Sequence, residues 1–115
     1  MKVIVAGSRT FNDYNLLKKE LDKILGNIPG ITIVSGGARG ADRLGEKYAR
    51  ERGFRLEVYP ADWERFGKSA GYRRNEKMAR IADMLVAFWD GKSPGTRHMI
   101  RVMREKGKKV IIIKF

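Results

Sequence analysis

The sequence predicts a three-layer α/β domain built on a five-stranded, mostly parallel sheet. Two observations carry that prediction. Short apolar runs alternate along the whole chain with helical patterns of about 10–15 residues, the signature of βαβ crossovers. Glycines then gather just after three of the apolar runs, where strands would end and helices begin.

The first run, Lys2–Ala6, is β-branched and apolar and stops at Gly7-Ser8, as a buried strand would. Asn12 or Asp13 can cap a helix reaching about Leu25, because Leu17, Leu21, Ile24 and Leu25 share one face at helical spacing. Gly26 and Pro29-Gly30 end it. Ile31–Val34 forms the second strand. The turn Ser35-Gly36-Gly37-Ala38-Arg39-Gly40 leads into a helix whose face is Ala41, Leu44, Gly45, Tyr48 and Ala49, closed by Gly53. Leu56–Tyr59 is a short third strand stopped by Pro60. Ala61–Gly71 reads as a loop and Tyr72–Ala82 as the third helix. Met84–Trp89 is the fourth strand. Pro94 suits the first turn of a helix running to about Lys106, and Lys109–Ile113 is the last strand.

The 115 residues and 43% apolar content fit one domain over 1–115, with no linker, repeat or low-complexity segment. No apolar run approaches the roughly 20 residues of a membrane span. The run Val3–Ala6 is also shorter than a signal-peptide core, so a cytoplasmic location without membrane contact is expected. With no cysteine and one histidine, His98, a metal site is not expected and no cofactor is implied. His98 reads as a helix surface residue. Lys plus Arg number 25 against 13 Asp plus Glu, a net charge of +12. Such a field concentrates anions such as nucleic acid or phosphate esters, although it also serves solubility.

Right-handed crossovers with strand order 3-2-1-4-5 would reverse the winding between strands one and four. Ligands of such sheets bind outside the carboxyl ends of the strands at that reversal. Four segments there carry suitable chemistry. Gly7-Ser8-Arg9-Thr10 offers a close backbone approach, two hydroxyls and a planar cation. Ser35, Gly36, Gly37, Arg39, Gly40 and Asp42 form a glycine-rich turn opening a helix, where free N–H groups and the helix dipole attract anions. Asp42 can cap that helix or accept from a ribose hydroxyl. Arg73, Arg74 and Asn75 stand at the start of the third helix, where adjacent cations oppose the dipole unless an anion joins them. Asp90-Gly91-Lys92-Ser93-Pro94-Gly95-Thr96-Arg97 repeats the theme of glycine, hydroxyl and cation at the start of the fourth helix, with Asp90, Gly95 and Thr96 as its candidate contacts. Trp63 and Phe66 are candidates for stacking on a base, whereas Trp89 reads as core.

Two common phosphate motifs do not fit. A dinucleotide fingerprint would need glycine where Ser35 stands, and a P-loop would need glycine five residues before Gly91, where Val86 is found.

Val3-Ile4-Val5-Ala6-Gly7-Ser8-Arg9, Val34–Asp42, Arg73-Arg74-Asn75 and Pro94-Gly95-Thr96 together resemble the SLOG superfamily, in particular its small branch related to YspA and YpsA. The resemblance covers essentially the whole chain. It implies a Rossmann-like fold, a nucleotide or nucleotide-derived ligand, and a homodimer. The superfamily also includes cytokinin-activating phosphoribohydrolases and the single-stranded DNA-binding protein DprA. Against the phosphoribohydrolases, Arg74 is similar in placement to a catalytic arginine, and Gly95-Thr96 to the end of their glycine turn. Their catalytic glutamate falls on His98 or Met99, and only Asp90 or Glu76 could stand in for it. The Ser35–Asp42 turn is closer to that of DprA. The expected function is therefore binding of a nucleotide-type ligand, as a sensor or as an enzyme acting on an N-glycosidic bond. The alternatives are single-stranded nucleic-acid binding through a basic face, or an interaction domain with a disused pocket.

Overall fold

A computed structural model describes residues 1–115. Five strands, β1 (Lys2–Gly7), β2 (Thr32–Ser35), β3 (Arg55–Val58), β4 (Met84–Trp89) and β5 (Lys109–Lys114), form one parallel sheet in the order β3-β2-β1-β4-β5. The expected order and the reversal between β1 and β4 are both present. Four long helices connect the strands: α1 (Tyr14–Leu25), α2 (Ala41–Arg52), α3 (Ala70–Ile81) and α4 (Pro94–Glu105).

The sheet buries both faces, so its central strands are apolar throughout. On one face α1 and α2 cover Val3, Val5, Ile33, Val86 and Phe88 with Leu17, Leu21, Leu25, Tyr48 and Ala49. On the other, α3 and α4 cover Ile4, Ala6, Val34, Leu85 and Ala87 with Met78, Met99 and Met103. Alternate residues of one strand thus feed two separate cores. Asp13 caps α1, its carboxylate accepting from the Leu16 N–H at 3.0 Å. No helix is long and apolar enough to cross a membrane.

The segment expected as a loop, Ala61–Gly71, is ordered differently. Asp62 accepts from the Arg65 N–H at 3.1 Å and starts a helical turn, Trp63–Phe66. A 3₁₀ turn, Gly67–Ser69, follows and feeds α3, which begins at Ala70 rather than Tyr72. One turn is too short for apolar periodicity to reveal. The earlier start moves Arg73 and Arg74 to the fourth and fifth positions of α3, at the edge of the dipole's positive end. Their expected conflict with the dipole is therefore reduced.

His98 also departs from expectation: it is buried, between α4 and α3. Its ring meets Tyr72 edge-on at 4.5 Å, and its Nδ1 lies 3.1 Å from Asn75 Nδ2. Arg74 Nε, which can only donate, fixes Asn75 Oδ1 as its acceptor at 3.0 Å. The Asn75 amide nitrogen then donates to His98, so the imidazole proton sits on Nε2 and the ring is neutral. Burial, with the charge of Arg101 adding to it, lowers the His98 pKa. Trp89 is half-buried, packing against the α3–α4 core, and its Nε1 donates to the Ser93 carbonyl at 3.2 Å.

Candidate functional site

A cleft of about 430 Å³ opens at the carboxyl ends of β1 and β4, between α2, α3 and the start of α4. Its wall includes Gly7, Arg9, Thr10, Asp42, Arg74, Asn75, Asp90, Gly95 and Thr96, all singled out from the sequence. Three linked arrangements shape it.

The loops after β1 and β4 are tied into one floor. The Ser8 N–H donates to the Phe88 carbonyl at 2.9 Å, continuing the β1–β4 ladder. Ser8 Oγ accepts from the Asp90 N–H at 3.1 Å and meets Ser93 Oγ at 3.0 Å. Asp90 accepts the Lys92 and Ser93 N–H groups at 2.8 Å each. Those N–H donors hold its carboxyl down at about 2. Asp90 is therefore an ionised turn residue, unsuited to holding a proton at neutral pH. Ser8 is buried beneath the floor, where its hydroxyl serves the loops.

The turn after β2 is a polar knot. Ser35 Oγ donates to buried Glu46 Oε2 at 2.7 Å and accepts from the Gly37 N–H at 3.0 Å. Asp42 Oδ2 accepts from the Ala38 N–H at 3.2 Å, so its carboxylate caps its own loop while one side faces the cleft. The Arg74 guanidinium closes the knot from α3, donating to the Gly36 carbonyl, which lies beside the Asp42 carboxylate. Gly36 makes room for this. A Cβ there would stand 2.6 Å from Arg74 Nη1 and 2.8 Å from Asp42 Oδ2.

The cations differ in freedom. Arg74 is half-buried and already bonded, and burial lowers its pKa. Arg9 and Arg39 are exposed and take part in no salt bridge. Arg39 lies outside the cleft, on a neighbouring hollow with Gly36 and Gly37. Arg73 turns away from the cleft, donating to Ser69 Oγ at 3.0 Å and lying over the Phe66 ring at 4.3 Å. Gly40 and Ser35 are structural supports rather than wall. At the other end, Pro94 begins α4 with no side-chain cap, leaving the first N–H groups of that helix free beside Thr96.

Burial, only partly offset by the Ala38 N–H and the Arg74 charge, raises the Asp42 pKa from 3.8 to about 6. The unfolded chain loses this proton near pH 4, and the folded chain keeps it to about pH 6. Stability therefore falls as pH rises through that window, by about 3 kcal/mol in all at 1.36 kcal/mol per unit. His98 slopes the other way, because its folded pKa lies below 6.5 and its contribution is lost on acidification. Asp42→Asn should remove the aspartate's slope and keep that of the histidine. In urea unfolding, the stability of the variant relative to the parent should rise by up to about 3 kcal/mol between pH 4 and pH 7. A constant difference would contradict the assignment.

Two parts of the site escaped the sequence. Glu46 stands four residues after Asp42, on the buried face of α2, a spacing that could have flagged it. The Tyr59 carbonyl, 3.5 Å from Arg74 Nη1, left no sequence signal. The carboxylate missing at His98 and Met99 is not replaced by Glu76, which is exposed and outside the cleft wall. No group of three or more metal-ligating side chains converges anywhere.

Comparison with known proteins places this geometry. The model of the YAcAr family, described as the YspA, cpYpsA-related SLOG family, matches residues 1–66. The Gene 61 protein of Mycobacterium phage D29 is 41% identical over 117 residues, 96% of this chain and 94% of that protein. DprA from Streptococcus pneumoniae superposes with a TM-score of 0.73 at 20% identity over 96% of this chain, which spans 49% of the DprA chain. TM1055 superposes with a TM-score of 0.70 at 24% identity, over 95% of this chain and 71% of its own. A DprA structure from Helicobacter pylori, described for its single-stranded DNA binding mode, gives 0.64 at 22% identity, over 97% of this chain and 64% of its own. The structural likenesses establish the shared fold.

Proposed function

Because the chain belongs to the YspA, cpYpsA-related SLOG family, we propose that its cleft binds a nucleotide or a nucleotide-derived phosphate ligand. One observation carries the reading. A free arginine (Arg9), a braced arginine (Arg74) and the uncapped start of α4 converge on one cavity with the Asp42 carboxylate. The cations and free N–H groups suit phosphate, and the carboxylate suits sugar hydroxyls. The role is binding, as a sensor would need. The wall holds no carboxylate where an N-glycosidic hydrolase of the related type would place its glutamate.

A second reading, single-stranded nucleic-acid binding, is supported by the fold shared with DprA and by the +12 charge. A thermal-shift screen separates the two. Nucleoside monophosphates, ADP-ribose and short single-stranded DNA are compared at low and high salt, since a ligand of the folded state raises the melting temperature. The cleft reading expects a shift with one small nucleotide that survives salt. A shift with DNA alone, lost in salt, would replace it with the second reading. A homodimer, implied by the family resemblance, belongs to the same proposal, and light scattering on those samples reads it.

A further inference from the structure

Beside the cleft lies a second hollow of about 370 Å³, and the two meet at Arg9, Ala38 and Arg74. Its far wall is Trp63 with Pro60 and Ala61. Trp63 is 52% exposed, yet it is not loose. It stands at the first position of the turn capped by Asp62, and its ring end lies over Gly71, where a Cβ would be 3.5 Å from the indole. An exposed tryptophan alone means little. This one is braced, it borders the same hollow as three guanidiniums, and two of those, Arg9 and Arg39, have no ion-pair partner.

A flat apolar ring close to unpaired cations matches a base attached to a phosphate. We propose that the hollow is a second-nucleoside subsite. The linking phosphate lies between Arg9 and Arg39, and the base beyond it stacks on Trp63. The ligand is then two nucleosides joined through phosphate, either a free dinucleotide or the end of a single strand. This rests on the cleft reading, because the first nucleoside occupies the cleft.

The test uses the full chain carrying Trp89→Phe, which leaves Trp63 as its only tryptophan. Titration calorimetry and Trp63 fluorescence are followed with a 5′-phosphorylated adenine mononucleotide, the matching dinucleotide and a longer single strand. The dinucleotide should bind at least about tenfold tighter than the mononucleotide and quench Trp63. Trp63→Ala should abolish that advantage and leave the mononucleotide unchanged. A strand that binds no tighter than the dinucleotide identifies the free compound, and a tighter, strongly salt-dependent one identifies a strand end. Equal affinity for mono- and dinucleotide, or equal losses for both in Trp63→Ala, would overturn the subsite while leaving the cleft in place. Binding of neither would remove the cleft reading, and the subsite with it.

Discussion

Arg74→Ala is expected to weaken nucleotide binding by about 10- to 100-fold and to destabilise the fold by about 1–3 kcal/mol. Both effects follow from one side chain. Its guanidinium faces the cleft, and it also satisfies the Gly36 carbonyl, fixes the Asn75 amide and sits beside buried Asp42. Without it, the Asp42 carboxylate loses the opposing charge that tempers its raised pKa. Arg74→Lys keeps a charge but not the fork that reaches Gly36 and Asn75 together, so it should recover only part of the loss. Arg39→Ala is the control. That side chain is exposed and has no ion-pair partner, so its removal should leave the urea midpoint unchanged. Calorimetry and urea unfolding on the three variants check this, and an Arg74→Ala protein with parental affinity would dismantle the site.

Gly40→Ala is expected to cost at least about 3 kcal/mol. Gly40 has φ +78° and ψ −127°, a region that side chains avoid. Its added Cβ would lie 2.3 Å from the Ser8 carbonyl oxygen and 2.6 Å from that of Arg9. Those are backbone atoms, and the Ser8 carbonyl already accepts from Phe11 and Ala41, so neither side can give way cheaply. The loop after β1 would have to leave the start of α2, carrying Arg9 with it. Gly53→Ala provides the comparison. Gly53 is left-handed at φ +70°, with nothing within 4 Å of its would-be Cβ, so it should cost only about 1–2 kcal/mol. Urea midpoints that match for the two variants would show that the Ser8–Gly40 contact is unimportant.

The sheet was legible because buried parallel strands are apolar on both sides. β4 runs from Met84 to Trp89 as read, and the reversal beside β1 follows from crossover handedness. Cleft residues were legible where glycine and cations cluster after a strand. What stayed hidden was partnership. Ser8 and Ser35 look like ligand hydroxyls in sequence, yet each is spent on loop architecture, against Asp90 and Glu46. Arg73 and Arg74 are neighbours, and only the second reaches the cleft, because successive helical residues point about 100° apart. His98 carries a polar ring into the space between α3 and α4, and hydrophobic periodicity has no term for a polar residue buried against an amide.

The join between β1 and β4 has a kinetic consequence. The Lys2 N–H donates to Asp83 Oδ2, 81 residues away, and the ladder continues to Gly7 opposite Phe88. Strands β1, β2 and β3 are linked by local crossovers, whereas this seam closes a loop spanning most of the chain. Closing so long a loop is the entropically expensive step, and high sequence separation slows folding. The floor that Ser8, Asp90 and Ser93 make exists only after the seam has zipped. A chain emerging from the ribosome would therefore lack its ligand site until β4 is made and pairs with β1, and would acquire that site in the event that joins the two halves of the sheet.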